Sequence, residues 1–329
     1  MRLILAPMEG LTDPLMRRLL TTAGRYDWCV SEFIRVTDQL LPVHVLDHFC
    51  PERADGWQTA SGTPLHVQFL GSDPQALADN AAQAAALGAP AIDLNFGCPA
   101  KTVNRHRGGA ALLDETELIY QIVHAVRQAV PAATPVSAKM RLGYLDDAPA
   151  VRNAQAIEAA GASWLTLHAR TKADAYTPPA HWDKIAPVRA ALRIPVIANG
   201  EIWTPEDAES ARQQSGCTDL MLGRGAVTRP DLVRVLRGES LLSWADLLTL
   251  QLDFLQGETR HHSQPQVKLL GRYKQWLGML TKGYPEAVQL WDQVKKIRDP
   301  DEVKGVLRAQ SAAQQTLAPE GFARHVPRV

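Results

Sequence analysis

The stretch "DLNFGCPAKTVN" at residues 93–104 sets a thiol, Cys98, between Gly97 and Pro99, just past an apolar run. A structural cysteine more usually sits inside such a run, so a cysteine at its end points to work at a cleft. Other reactive types recur at the same kind of position. Short apolar or β-branched runs end in Pro7, Met8 and Glu9, in Glu32 and Arg35, in Gln68, in Asn95 and Cys98, in Lys139 and Arg141, in His168 and Arg170, in Asn199 and Gly200, and in Gly223 and Arg224.

The last two of these tips, "IANGEI" and "MLGRGA", combine small residues with an arginine beside a helix start. Backbone N–H groups and a guanidinium arranged in that way hold a phosphate. Each glycine alone is more often a turn residue, so the pair of loops carries the reading. Lys139 and Gln68 offer a cation and an amide to a planar heteroaromatic ring if both face one axis, and a flavin meets that need. Alternatively Lys139 is one half of an ion pair, and His168 a satisfied core histidine.

The runs "RLILA", "WCVSEF", "LHVQFL", "AIDLN", "PVSAKM", "WLTLH", "PVIAN" and "DLMLG" alternate with Ala-rich amphipathic stretches such as "PQALADNAAQAAALGA" and "ELIYQIVHAVRQAV". Eight strands alternating with helices over about 240 residues are expected to close into a (β/α)8 TIM barrel, whose strand tips meet at one mouth. A doubly wound sheet is the rival. Its G-x-G-x-x-G is missing after the first strand, which runs into "APMEGLTD" instead. From Trp244 the pattern is helical only, with "WADLLTLQLDFLQ", "QVKLLGRYKQWLGML" and "AVQLWDQVKKI" separated by "GETRHHSQP" and "KGYP". The expected layout is a barrel domain over 1–240, a small all-helical domain over 241–312 and a loose tail over 313–329.

The composition, 46% hydrophobic and 21% charged, is that of an ordinary globular protein. No apolar run approaches the roughly 20 residues that cross a bilayer, and Glu9 ends the apolar start too soon for a signal peptide, so a cytoplasmic protein without a membrane partner is expected. Cys29, Cys50, Cys98 and Cys217 form no C-x-x-C pair, which argues against a metal site and a disulfide framework. Between 257 and 298 the bases Arg260, Lys268, Arg272, Lys274, Lys282, Lys295, Lys296 and Arg298 face only Glu258, Glu286 and Asp292. That segment is either a polyanion-facing surface or a solvated helical face.

In order along the chain stand "APMEGLTD", "DLNFGCPAKTVN", "GGAALL", "SAKMRLG", "HARTKADAY", "ANGEI" and "LGRGA". Together they resemble the tRNA-dihydrouridine synthases over roughly residues 1 to 310. "PMEG", "SEFIRVTDQLLPV" and "GRYKQWL" resemble the C-type branch, which modifies the uridine at position 16 of the tRNA D-loop. The resemblance implies a flavoprotein oxidoreductase with bound FMN, NADPH as reductant and tRNA as substrate, built as a barrel followed by a helical domain. It assigns FMN contacts to Pro7, Met8, Glu9, Gln68, Lys139, His168, Asn199, Gly200, Glu201, Gly223 and Arg224, and makes Cys98 the acid that protonates C5 of the uracil after hydride reaches C6. By position, Asn95 is expected at the uracil edge, Arg35 and Tyr176 at the tRNA backbone near the mouth, and Arg272 and Lys274 on the basic platform for the rest of the tRNA; a monomer is expected. Two departures stand out. Ala169 replaces the glycine of the commoner "HGRT", and Arg105 and Arg107 make the loop after Cys98 more basic. The rivals are a small-molecule flavin barrel of the dihydroorotate dehydrogenase type and a non-catalytic tRNA-binding protein.

Overall fold

A computed structural model describes residues 1–259, 262–263 and 266–317. They fall into two compact units, one chiefly Met1–Ser240 and the other opening at Leu241.

The first unit is a closed parallel barrel. Its strands are β1 (Leu3–Leu5), β2 (Trp28–Val30), β3 (Ile34–Arg35), β4 (Leu65–Leu70), β5 (Ile92–Phe96), β6 (Val136–Arg141), β7 (Trp164–His168), β8 (Val196–Asn199) and β9 (Asp219–Leu222). Strand β1 pairs with both β2 and β9, and β2 pairs with β4, so the ladder returns on itself and leaves no open edge. Eight strands are staves; β3 is a two-residue addition to the end of β4. The expected single strand "WCVSEF" therefore splits. Ser31 leaves the strand pattern because its hydroxyl donates to the Glu32 carbonyl and accepts the Gln68 N–H.

Residues two apart on a strand share a face. Ile4, Ala6, Trp28, Val30, Ile197 and Met221, from alternate positions of four staves, pack with Trp164 and Met8 to fill the barrel interior. The His66 ring stacks on Trp28 with centroids 5.1 Å apart. Local signals set the helix starts: Asp13 and Asp73 cap Pro14–Ala23 and Pro74–Ala86, and Thr204 with Asp207 forms a capping box on Pro205–Ser215. These caps fix where the loops leaving β1, β4 and β8 end.

The second unit contains helices Trp244–Gln256, Gln266–Leu280, Pro285–Val294 and Pro300–Leu317. Leu248, Phe254, Trp276, Leu277, Leu290 and Leu307 are buried in its core. Within the "GETRHHSQP" link, where no strand was expected, Glu258–Thr259 pairs with His262–Ser263 as a short ribbon. The last helix also runs on through 313–317, where a loose tail was expected. Ala and Gln are good helix formers even without an apolar stripe, so the absence of periodicity does not end a helix there. The rest of the expected tail, 318–329, lies outside the described residues. Among the described residues no helix is long and apolar enough to cross a membrane.

Candidate active site

The strand tips line a cavity of about 570 Å³. Every residue expected at FMN lines it: Pro7, Met8, Glu9, Gln68, Lys139, His168, Asn199, Gly200, Glu201, Gly223 and Arg224. So do Cys98, Asn95 and Tyr176. Arg35 does not; it is exposed on β3.

The β1 turn is held by side chains from outside it. Met8 N–H donates to Thr12 Oγ1 at 2.7 Å, Thr12 Oγ1 donates to the Ala6 carbonyl, and Gly10 N–H donates to Glu32 Oε1 at 2.5 Å. Strands β4 to β6 carry a buried polar chain. Ser137 Oγ donates to Asp93 Oδ1 and Gln68 Nε2 to Asp93 Oδ2, both at 2.6 Å. Asn95 Nδ2 then donates to Gln68 Oε1 at 2.8 Å, and Asn95 Oδ1 accepts the N–H groups of Gly97 and Cys98 at 2.9 Å each. Burial raises the Asp93 pKa, opposed by its two donors and by the Lys139 charge.

Cys98 is clamped through its backbone. Its carbonyl accepts from Asn104 Nδ2 at 2.9 Å and from Ala110 N–H at 3.0 Å, while Arg141 Nε holds the Gly97 carbonyl at 2.9 Å. Gly109, at φ +61, makes this possible: a Cβ there would lie 2.8 Å from the Cys98 carbonyl oxygen and 2.9 Å from its Cβ. Cys98 as a residue is 8% exposed, packed beside Leu70 and Val103 with Phe33 and Ala100 against it. Burial pushes its pKa above the ordinary thiol value; Glu9 pushes the same way, against the cations Arg141 and Lys139.

Lys139 on β6 stands beside Asn95 and Thr166 in register. Burial, with Arg141 adding to it, lowers its pKa to about 8. His168 is held neutral by burial and by four surrounding cations, Arg141, Lys139, Arg170 and Arg224. Next to it Arg170 is fully buried; it pairs with Glu201 and donates to the Thr177 carbonyl, while its Nη1 has no hydrogen-bond partner among the described residues. Glu201 also accepts the Ala180 N–H at 2.6 Å and so ties the β7 and β8 loops together.

The loops after β8 and β9 touch through a glycine. A Cβ on Gly225 would sit 2.0 Å from the Ile202 carbonyl oxygen. Arg224, just before it, lies over the rings of Tyr176 at 4.8 Å and Trp203 at 5.2 Å, and Arg141 covers Tyr176 at 5.3 Å. Ala169 is buried and does not line the cavity, so its extra methyl does not narrow it. Arg107 pairs with Glu115 at 2.5 Å, and Arg105 is exposed.

Two expected tRNA contacts lie in the helical unit. Arg272 lies over the Phe254 ring at 5.6 Å. Lys274 is engaged locally, since its Nζ donates to the Lys295 and Ile297 carbonyls at 3.0 and 2.5 Å and closes the end of Pro285–Val294. Arg260, one of the counted bases, lies outside the described residues. Residues that the strand-tip reading passed over are Thr12, Asp93, Gly109, Ser137, Trp203 and Gly225. Asp93 carried a signal, since it falls two residues before Asn95 and hence on the same face of β5.

No group of three or more His, Cys, Asp or Glu among the described residues forms a metal-binding cluster. The histamine dehydrogenase of Rhizobium sp. 4-9 superposes with a TM-score of 0.52 at 13% identity, over 72% of this chain and 46% of that longer one, a likeness of fold. The chain is 52% identical over 313 residues to the tRNA-dihydrouridine(16) synthase of Aquipseudomonas alcaligenes, covering 93% of this chain and 99% of that one. It is 50% identical to the protein of the same name from Pseudomonas putida, covering 94% and 98%. The profile of "Dihydrouridine synthase (Dus)" matches residues 4–316, a span that includes the whole barrel mouth and its cysteine loop. With that match and relatives at half identity along nearly the full length, the chain belongs to the dihydrouridine synthase family.

Proposed function

We propose that the protein reduces uridine to 5,6-dihydrouridine at position 16 of the tRNA D-loop, as a monomer, with FMN in the barrel mouth and NADPH as reductant. The observation that carries this reading is a buried thiol, Cys98, at a cavity also lined by the cationic side chains of Lys139 and Arg170, the Arg170 Nη1 having no hydrogen-bond partner among the described residues. Those side chains fit a flavin nucleotide. Lys139 suits the electron-rich edge of the ring, and Arg170, Arg224 and the Gly200 and Gly223–Gly225 loops suit the phosphate. The relatives' names supply the tRNA and the position.

A reduced flavin held there would supply the hydride that C6 of the uracil takes up. The C5=C6 bond is conjugated to the C4 carbonyl, so the uracil becomes an enolate that needs a proton at C5. Cys98 gives it. A carboxylic acid is ionised at neutral pH, whereas a thiol with its pKa raised by burial still holds its proton there. Arg141 and Lys139, the cations that oppose that rise, then stabilise the thiolate left behind. Asn95 has its carbonyl committed to the Gly97 and Cys98 N–H groups, which leaves an amide N–H to meet a pyrimidine carbonyl. Tyr176, half-exposed between two guanidiniums, receives the uridine as it leaves its stack. In the helical unit the exposed Lys268, Lys282, Lys296 and Arg298 face the tRNA phosphates.

Incubating the protein with unmodified tRNA and NADPH and mapping the product by mass spectrometry tests this. Dihydrouridine at position 16 is expected. Turnover of free dihydroorotate without any on tRNA favours the small-molecule rival, and full tRNA binding by a colourless protein favours the non-catalytic one.

A further inference from the structure

The polar chain from Ser137 to Cys98 has a direction. At one end stands Asp93, with both carboxylate oxygens accepting: Oδ1 from Ser137 Oγ and Oδ2 from Gln68 Nε2. At the other end stand the backbone N–H groups of Gly97 and Cys98, which only donate. Between them lie two side-chain amides, Gln68 and Asn95, each of which can be turned end for end without changing its shape. Only one setting satisfies both ends: Gln68 gives its N–H to Asp93 and its carbonyl to Asn95, and Asn95 gives its carbonyl to the cysteine loop. Gln68 is fully buried and Asp93 is 3% exposed, so water does not replace a mismatched partner cheaply.

We infer that Asp93 is a positioning residue whose acceptor-only carboxylate sets the orientation of Gln68 and Asn95, and through them the Cys98 loop. It touches neither the thiol nor the cavity. Its effect reaches the cavity in two ways: the Cys98 backbone is held by an oxygen, and the amide group that Asn95 keeps for the pocket is an N–H. Only the second consequence rests on the proposed function, because an N–H donor matches the C4 carbonyl of uracil and opposes the C4 amine of cytosine.

Swapping the carboxylate and the amide across Gln68 tests the inference without flavin or tRNA. In Asn95→Asp, Gln68 lies between two acceptor-only groups and one contact becomes repulsive. The melting temperature is expected to fall by at least about 2–4 °C, and the Gly97 and Cys98 amides to exchange hydrogen about tenfold faster. Adding Asp93→Asn lets the whole chain reverse: the new amide at position 93 donates to Gln68, Gln68 donates to the new carboxylate at position 95, and that carboxylate accepts from the loop. The second substitution is therefore expected to restore melting and amide protection, although Asp93→Asn alone in the wild-type background is neutral or destabilising. That change of sign is what a mere packing role does not produce. Additive losses, an insoluble double variant, or Asn95→Asp with unchanged melting and exchange would each overturn the inference. None of these readouts depends on activity, so a protein that fails to reduce tRNA but shows the sign change refutes the proposed function and leaves the inference standing.

Discussion

Cys98→Ala is expected to slow dihydrouridine formation by about 10²–10⁴-fold, the usual contribution of a positioned general acid, while NADPH still bleaches the flavin at its normal rate. The two half-reactions separate because only the uracil step needs a proton delivered to carbon. The substitution removes one sulfur atom from a site that the backbone already fixes. The carbonyl of residue 98 keeps Asn104 and Ala110, its N–H keeps Asn95, and the packing of Leu70 and Val103 is little changed. Flavin content and melting temperature should therefore stay near wild type. Stopped-flow absorbance at the flavin band, with NADPH and then with unmodified tRNA, reads both halves in one sample. Equal loss in both would mean that Cys98 supports the flavin rather than the uracil.

Gly225→Ala should yield folded but nearly colourless protein. The added Cβ would stand 2.0 Å from the Ile202 carbonyl oxygen and 3.0 Å from its carbon, and these are backbone atoms that cannot rotate aside. One of the two loops after β8 and β9 must move, and overpacking against fixed structure costs about 1–3 kcal/mol. The movement falls on the proposed phosphate cradle, because Arg224 and Glu201 flank the contact and Glu201 is tied to Arg170 and Ala180. The staves beneath are shared by the rest of the barrel and resist it. Flavin per protein, from absorbance after gel filtration, is expected to fall below about a tenth of wild type; for a site once near saturation that needs a loss of about 100-fold in affinity. Full flavin occupancy would remove the phosphate from this pair of loops.

The barrel was legible because its signals are local. Apolar runs mark the staves, Asp13, Asp73 and Thr204 mark helix starts, and the polar types at strand ends converge once eight staves close. What escaped depends on partners distant in the chain. Asp93 lies inside an apolar run, and its meaning comes from Gln68 and Ser137 on neighbouring strands. Gly109 and Gly225 read as turn residues until the carbonyls they approach, at Cys98 and Ile202, are in view. A charge tally likewise does not see the Lys295 and Ile297 carbonyls that engage Lys274. The split after Val30 turned on one hydroxyl, Ser31, bonding its own neighbour.

The stereochemistry of reduction in D2O speaks most directly to the role of the thiol. If Cys98, fixed on one wall of the mouth, hands over the proton, nuclear magnetic resonance of the isolated dihydrouridine will show the deuterium at C5 on a single face of the ring. Deuterium spread over both faces of C5 in wild-type product would mean that solvent, and not residue 98, completes the reaction.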